Sequence, residues 1–208
     1  MAAFCLFRSV VYMDGFEIKI DFPGKKKLFR KLEDHPKAMA KALRRTVSDF
    51  KSRAPGWVSS AVTSHYTIKK SDVRSAVKAK EKAGSVKVGG VSVDGARIKY
   101  EGGLLTPTHF QMTPKERPAK PYTVKAKIKK DGSKKVLSPI AFLGSANGSA
   151  QIPFQRKGES RLPVEAIKTT SVPQMIENDS VTSDIAAKIS EGLTKRLEHN
   201  MQQAIKDL

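Results

Sequence analysis

Residues 181–208 read VTSDIAAKISEGLTKRLEHNMQQAIKDL. Val181, Ile185, Ile189, Leu193, Leu197, Met201, Ala204 and Leu208 recur every three or four positions. On a helix of about 3.6 residues per turn they share one slowly drifting apolar stripe, which has to be buried against something. The spacing of four drifts where a heptad would hold register, so the stripe is expected to pack on the domain's own sheet and not in a coiled-coil seam. From Glu177 to Leu208 six acidic residues stand against four basic ones, whereas the whole chain has 39 Lys plus Arg, 20 Asp plus Glu and a formal charge of +19. The last helix therefore opposes the charge of the remainder, a separation that suits distinct faces for distinct partners.

Upstream of it the pattern changes to strands. Tyr122, Val124, Ala126 and Ile128 alternate with Lys125, Lys127 and Lys129, and Asp131-Gly132 offers a hairpin turn towards Lys134, Lys135, Val136 and Leu137. The result is a hairpin apolar on one side and densely basic on the other. Shorter strands are expected at Ile140–Leu143 and Ile152–Arg156, flanking a Gly/Ser/Asn-rich turn over 144–149, and at Ser85–Val88, Val91–Val93 and Arg97–Tyr100, parted by Gly89-Gly90 and Asp94-Gly95. Four prolines between Leu104 and Pro121 predict a loop or an extended arm.

Towards the amino end, Phe16, Ile18, Ile20 and Phe22 alternate with charged residues as a half-buried strand does, and Pro23-Gly24 should end it. A helix is predicted from Pro36, with Asp34 near enough to cap it and Met39, Leu43, Val47 and Phe50 as its dry stripe. Lys37, Lys41, Arg44, Arg45 and Lys51 make the rest of its circumference cationic, until Pro55-Gly56 stops it. A second short helix from Trp57 to Tyr66 and a third, capped by Ser71, should follow. The pattern as a whole predicts an α+β fold: a mostly antiparallel sheet packed by a basic N-terminal helix and a long C-terminal helix. Residues 1–13 read as a flexible arm or a mis-called start, and 14–208 as one domain with an extended central arm near 104–121.

No catalytic constellation can be assembled from these residues. Cys5 is the single cysteine, and His35, His65, His109 and His199 share no ligand spacing with it or with each other, so neither a metal site nor a cofactor is expected. Ser48-x-x-Lys51 and Ser75-x-x-Lys78 match the spacing of some acyl enzymes but lack the companion motifs. Residues 1–11 carry Arg8 inside an apolar stretch with no basic leader, a poor secretory signal, and no apolar run approaches the roughly 20 residues a membrane span needs. A cytoplasmic protein without membrane contact is expected, with a polyanion or an acidic protein surface as the natural partner of the positive excess. Lys125, Lys127, Lys129, Lys130, Lys134 and Lys135 are the candidates for that contact. Their alternative role is to keep an exposed sheet soluble and free of edge pairing.

Between Ile140 and Glu177 the chain carries an ordered set of phrases: Ala141-Phe142-Leu143, Phe154-Gln155-Arg156-Lys157-Gly158, Arg161-Leu162-Pro163-Val164, and Ser171-Val172-Pro173-Gln174-Met175-Ile176-Glu177. Followed by a long C-terminal helix and preceded by a basic amphipathic helix over Ala38–Ala54 and a segment at Ile68–Val77, they resemble the phage minor tail protein Z family over roughly residues 36 to 205. Residues 1–31 have no counterpart in that pattern. The resemblance implies a structural virion protein, not an enzyme, that completes the head-proximal end of a long tail, at the neck, and enables head-tail joining around the DNA channel. It also implies a ring of copies, six in number, meeting a tail terminator or tail tube protein, the head connector and double-stranded DNA without sequence preference. Phe142, Phe154, Arg156, Gly158, Arg161, Leu162, Pro163, Val172 and Pro173 become candidates for core or subunit contact, with Arg156 and Arg161 suited to bridging subunits through carboxylates. The competing function is a general nucleic-acid-binding protein, supported by charge alone, since no aromatics interleave the basic strand.

Overall fold

A computed structural model describes residues 8–13, 16–21, 34–88, 90–138, 140–145 and 151–208, with side-chain surroundings for 34–86 and for the described residues from 90 onward. Cys5, Phe22, the Pro23-Gly24 stop, Gly89 and residues 146–149 of the proposed turn lie outside them. In chain order the elements are β1 (Arg8–Met13), β2 (Phe16–Asp21), α1 (Pro36–His65), α2 (Lys70–Ser75), β3 (Val77–Val88), β4 (Val91–Tyr100), β5 (Gln111–Thr113), β6 (Lys125–Lys127), β7 (Lys135–Val136), β8 (Phe142–Ser145), β9 (Gln151–Arg156), β10 (Val164–Ala166), α3 (Val172–Ile176) and α4 (Asp179–Lys206). They fall into two compact units, one formed by 1–58, 77–100 and 182–208 and the other by 59–76 and 101–181.

In the first unit a four-stranded sheet of order β2-β1-β4-β3 is antiparallel throughout except where β1 meets β4. Residues 8–13, part of the arm read from the sequence, thus form a paired strand. Met39, Ala42 and Leu43 of α1 and Leu197, Met201 and Ala204 of α4 form one core with Val93 of β4, with Val47, Val86 and Val91 at its margin. Both long helices lie on this sheet, as expected for the α+β fold. The α4 stripe is buried from Val181 to Ala204, while Leu208 is 62 % exposed.

Three local expectations are corrected. Pro55 does not end a helix: α1 runs through it to His65. An internal proline removes one backbone bond and crowds the preceding turn, at about 3 kcal/mol. Burial on both sides opposes that cost, since Phe50 and Ala54 precede Pro55 and Val58, Ala61 and Val62 follow it, all sequestered. Asp94-Gly95 is not a turn but lies inside β4, opposite a register shift between Lys82 and Ser85. There Gly84 takes a φ of 57° and residues 83–84 face Gly95 alone, the two-against-one pattern of a β-bulge. A Cβ on Gly95 would collide with the carbonyl oxygen of Ala83, so glycine answers to a close backbone approach. Ser71, finally, lies inside α2, whose cap position is Lys69, and its hydroxyl bonds Asp72; Val77 opens β3 instead of continuing the helix.

The second unit holds two three-stranded antiparallel sheets, β5-β6-β7 and β10-β9-β8. Met112, Val124, Ala141 and Leu143 form its core with Tyr122, Leu137 and Ile167 packed against them, and the Tyr122 hydroxyl accepts from the Leu143 amide at 2.8 Å. Part of the central arm is packed: Phe110 and Met112 are buried and 111–113 form β5, whereas 115–121 are exposed. α3 begins with a reciprocal capping box, the Gln174 amide reaching the Ser171 hydroxyl at 3.3 Å and the Ser171 amide the Gln174 side chain at 3.0 Å.

Candidate functional site

The basic hairpin forms as the alternation predicts, although its strands are short. β6 pairs with β5 through Met112↔Ala126 and Thr113↔Lys125 and with β7 through Lys125↔Val136 and Ala126↔Lys135. Val124 and Ala126 are buried and anchor it in the core. Its far end is pinned by backbone: the Lys130 amide donates to the His65 carbonyl at 2.7 Å and the Thr67 amide to the Ile128 carbonyl at 2.9 Å, while the Thr67 hydroxyl reaches the Lys127 carbonyl. The segment carrying the lysines is therefore held at both strand and turn, and its positive charges project from a fixed backbone.

Lys125, Lys129, Lys130, Lys134 and Lys135 are exposed and Lys127 is half-buried. The Lys134 ammonium bonds the Thr113 hydroxyl at 2.8 Å, and among the described residues none of the six is paired with a carboxylate. The register divides them, however. Directly opposed residues share a face, so Lys125 lies beside the exposed Val136, and Lys135 falls on the Ala126 side. Lys135 reaches solvent because β7 is an edge strand, a position for which sequence alternation alone gives no warning.

A second feature lies in the other sheet of the same unit. The rings of Phe142 and Phe154, paired in register across β8 and β9, stack with centroids 6.1 Å apart and planes 27° from parallel. β9 ends at Arg156, the chain bends through 157–161, and Val164 returns opposite Arg156 in β10. A cleft of about 1050 Å³ opens here between Phe142, Arg156, Gly158, Arg161 and Leu162, together with Arg117, Ile140, Lys157, Glu159 and Val164. The Glu165 carboxylate, hydrogen-bonded by Gln155 at 2.9 Å and facing Lys157 at 3.4 Å, is held below the usual carboxylate range by those bonds.

The family phrases thus divide in space. Phe142, Phe154, Arg156, Gly158, Arg161, Leu162 and Pro163 gather around the bend of one sheet, whereas Val172 is buried and Pro173 half-buried in α3. Leu162 is 68 % exposed, so it is no core residue of this chain. Arg117 and Ile140 are not among the contact candidates that the sequence offers, because Ile140 matches the pattern of an ordinary strand residue and Arg117 belongs to the proline-rich arm, while Val164 enters only as the end of the Arg161-Leu162-Pro163-Val164 phrase. Among the described residues no group of His, Asp and Glu could hold a metal ion, and no helix is long and apolar enough to cross a membrane.

Comparison with known proteins agrees with the phrases. The family model described as prophage minor tail protein Z matches residues 27–207. No curated protein and no solved structure matches. The family match takes in both long helices, the basic hairpin and the whole of the 140–177 segment, and on that span the chain belongs to the prophage minor tail protein Z family, structural proteins of phage tails.

Proposed function

We propose that this tail protein completes the head-proximal end of the tail, as a ring of six copies around the DNA channel. On this reading one rim of the ring meets the tail terminator or tail tube protein and the other receives the head connector. The observation that carries the proposal is the lysine hairpin: several cations without carboxylate partners on a backbone held in place, within a chain of net charge +19. Repeated around a ring, such hairpins present a positive lining to a polyanion whatever its base sequence, and phosphate contacts of this kind are sequence-independent and salt-sensitive. Lys125, Lys127, Lys129, Lys130, Lys134 and Lys135 are the residues assigned to DNA or to the acidic rim of a neighbour.

The test is genetic and visual. Particles made without this protein should accumulate as separate filled heads and tails with irregular head-proximal ends in electron micrographs, and wild-type protein added to such a lysate should restore joining. Infectious joined particles in its absence would refute the proposal. A general nucleic-acid-binding role is the alternative that the charge favours. It gains if the purified protein holds duplex DNA tightly at high salt while the deletion leaves head-tail joining intact.

A further inference from the structure

The cleft in the second unit combines two features that a solvent-facing bend has no internal reason to combine. Part of its lining is apolar and uncovered: Ile140 is 58 % exposed, Leu162 68 % and Val164 36 %, beside the half-buried Phe142. Isolated apolar residues on a surface need no explanation, but three of the six large apolar residues exposed among the described residues line this one cleft. The same lining is cationic, with Arg117, Arg156, Lys157 and Arg161 against Glu159. Lys157 is engaged by Glu165, which leaves three guanidinium groups that no carboxylate among the described residues pairs. The backbone beneath is fixed by the β9–β10 register, by the Lys157 amide on the Pro163 carbonyl at 3.2 Å and by the Arg117 amide on the Gln151 side chain at 2.6 Å.

Each candidate occupant can be weighed by what it would leave unsatisfied. Nucleic acid would use the guanidinium groups but leave the leucine, isoleucine and valine wet. An uncharged apolar peptide would cover the apolar side chains and take the arginines partly out of water without a counter-charge, which is unfavourable. A polypeptide segment carrying both apolar and acidic side chains satisfies both, because guanidinium forks pair bidentately with carboxylates at the edge of a buried apolar patch. We infer that this cleft is a docking site for a short acidic and apolar segment of a partner polypeptide. Leu162 and Ile140 supply the buried contact, and Arg117, Arg156 and Arg161 clasp its carboxylates. The inference concerns the cleft alone and does not rest on the tail-end ring, whose assigned surface is the lysine hairpin.

The experiment uses the full-length protein and an array of short capped peptides in which leucine, isoleucine and valine alternate in varied order with glutamate and aspartate. Binding is followed by fluorescence anisotropy. Control peptides replace every acid by its amide, or every apolar residue by serine, and a labelled DNA duplex is the third probe. Acidic-apolar peptides should bind, both controls should bind at least about tenfold more weakly, and Leu162→Ser should weaken binding by about tenfold, the scale set by removing one leucine side chain from an apolar interface. Arg156→Ala with Arg161→Ala should do the same, and Lys195→Ala, on the exposed side of α4 and in neither proposed surface, should leave affinity unchanged. These exposed positions leave the fold intact, which thermal melting of each variant verifies. Equal binding of the amide peptides, no binding by the wild type, or unchanged affinity in Leu162→Ser would overturn the inference. So would duplex DNA that displaces the peptide from wild type and loses its own affinity in the arginine variant.

Discussion

Gly192 sits within α4 against the indole of Trp57 in α1, and replacing it by alanine sets two effects of opposite sign in competition. In a helix interior alanine is favoured over glycine by about 1 kcal/mol, because glycine loses more backbone freedom on folding. Here a Cβ would overlap the ring edge, meeting Cζ2 directly and lying only 2.6 Å from Cε2 and 2.8 Å from Cη2. Three rigid ring atoms cannot yield as the tip of a flexible chain would, so the indole must rotate or the helices must part, and overpacking of that kind costs about 1–3 kcal/mol. Trp57 is half-buried, and because all three ring contacts fall under 3 Å the cost is placed in the upper half of that range, about 2–3 kcal/mol. Gly192→Ala should therefore destabilise the protein by about 1–2 kcal/mol net in urea unfolding. In a Trp57→Leu background the collision is gone and the same substitution should stabilise by about 1 kcal/mol. The change of sign between backgrounds is the diagnostic result, since a double-mutant cycle isolates the pair. An alanine that stabilises equally in both backgrounds would show that α1 and α4 do not meet at this residue.

Asp49 of α1 receives the Arg196 guanidinium at 2.8 Å and the Asn200 amide at 3.0 Å from α4, and Asn200 also donates to Thr46 at 3.1 Å. Burial acts to raise the Asp49 carboxyl, but the bonds from Arg196 and Asn200 and the charges of Arg196 and Arg53 together outweigh it and hold the group below the ordinary aspartate value. Asp49→Ala should cost about 1–3 kcal/mol at neutral pH, because it strands a buried amide and a mostly covered guanidinium. A depressed carboxylate contributes its stability above its unfolded value, about 3.9 for aspartate, and loses it as pH falls through the folded value. The gap between wild type and variant should accordingly narrow below about pH 4 and be constant at neutral pH; a gap that widens on acidification contradicts the assignment. Replacing Lys125, Lys129 and Lys135 by serine should lower the slope of log affinity for duplex DNA against log salt by about 0.9 for each phosphate no longer neutralised, as read by filter binding across a salt series, and an unchanged slope removes the hairpin from the DNA surface. The Tyr100 hydroxyl is buried without a hydrogen-bond partner among the described residues, and burial pushes its phenol above the ordinary range. Tyr100→Phe should leave stability unchanged or raise it by up to about 1 kcal/mol in the same urea assay, and a clear loss would mean the hydroxyl is satisfied in solution.

Short-range periodicity alone determined much of this fold. The stripe from Val181 to Ala204, the alternation of Phe16, Ile18 and Ile20, and the Val124 and Ala126 face beside its lysines each repeat at the period of one secondary structure, and each forms as read. The choice of α+β followed too, because segments alternating at period two between two helices with one dry face each call for a sheet packed by those helices. Features set by partners distant in sequence were decided only in three dimensions. Pro55 and Asp94-Gly95 carry the local signature of a break, yet buried neighbours on both sides of Pro55 and the close approach of Ala83 to Gly95 keep helix and strand running. Asp49 and Arg196 are 147 residues apart and look like ordinary surface charges until α1 and α4 lie together. Leu162 and Ile140 resemble core residues in the sequence, and only the fold leaves both of them exposed in a cleft lined by arginines. A side chain's preference for water or for helix is written in its own chemistry, but whether that preference is satisfied depends on which other atoms the fold brings beside it.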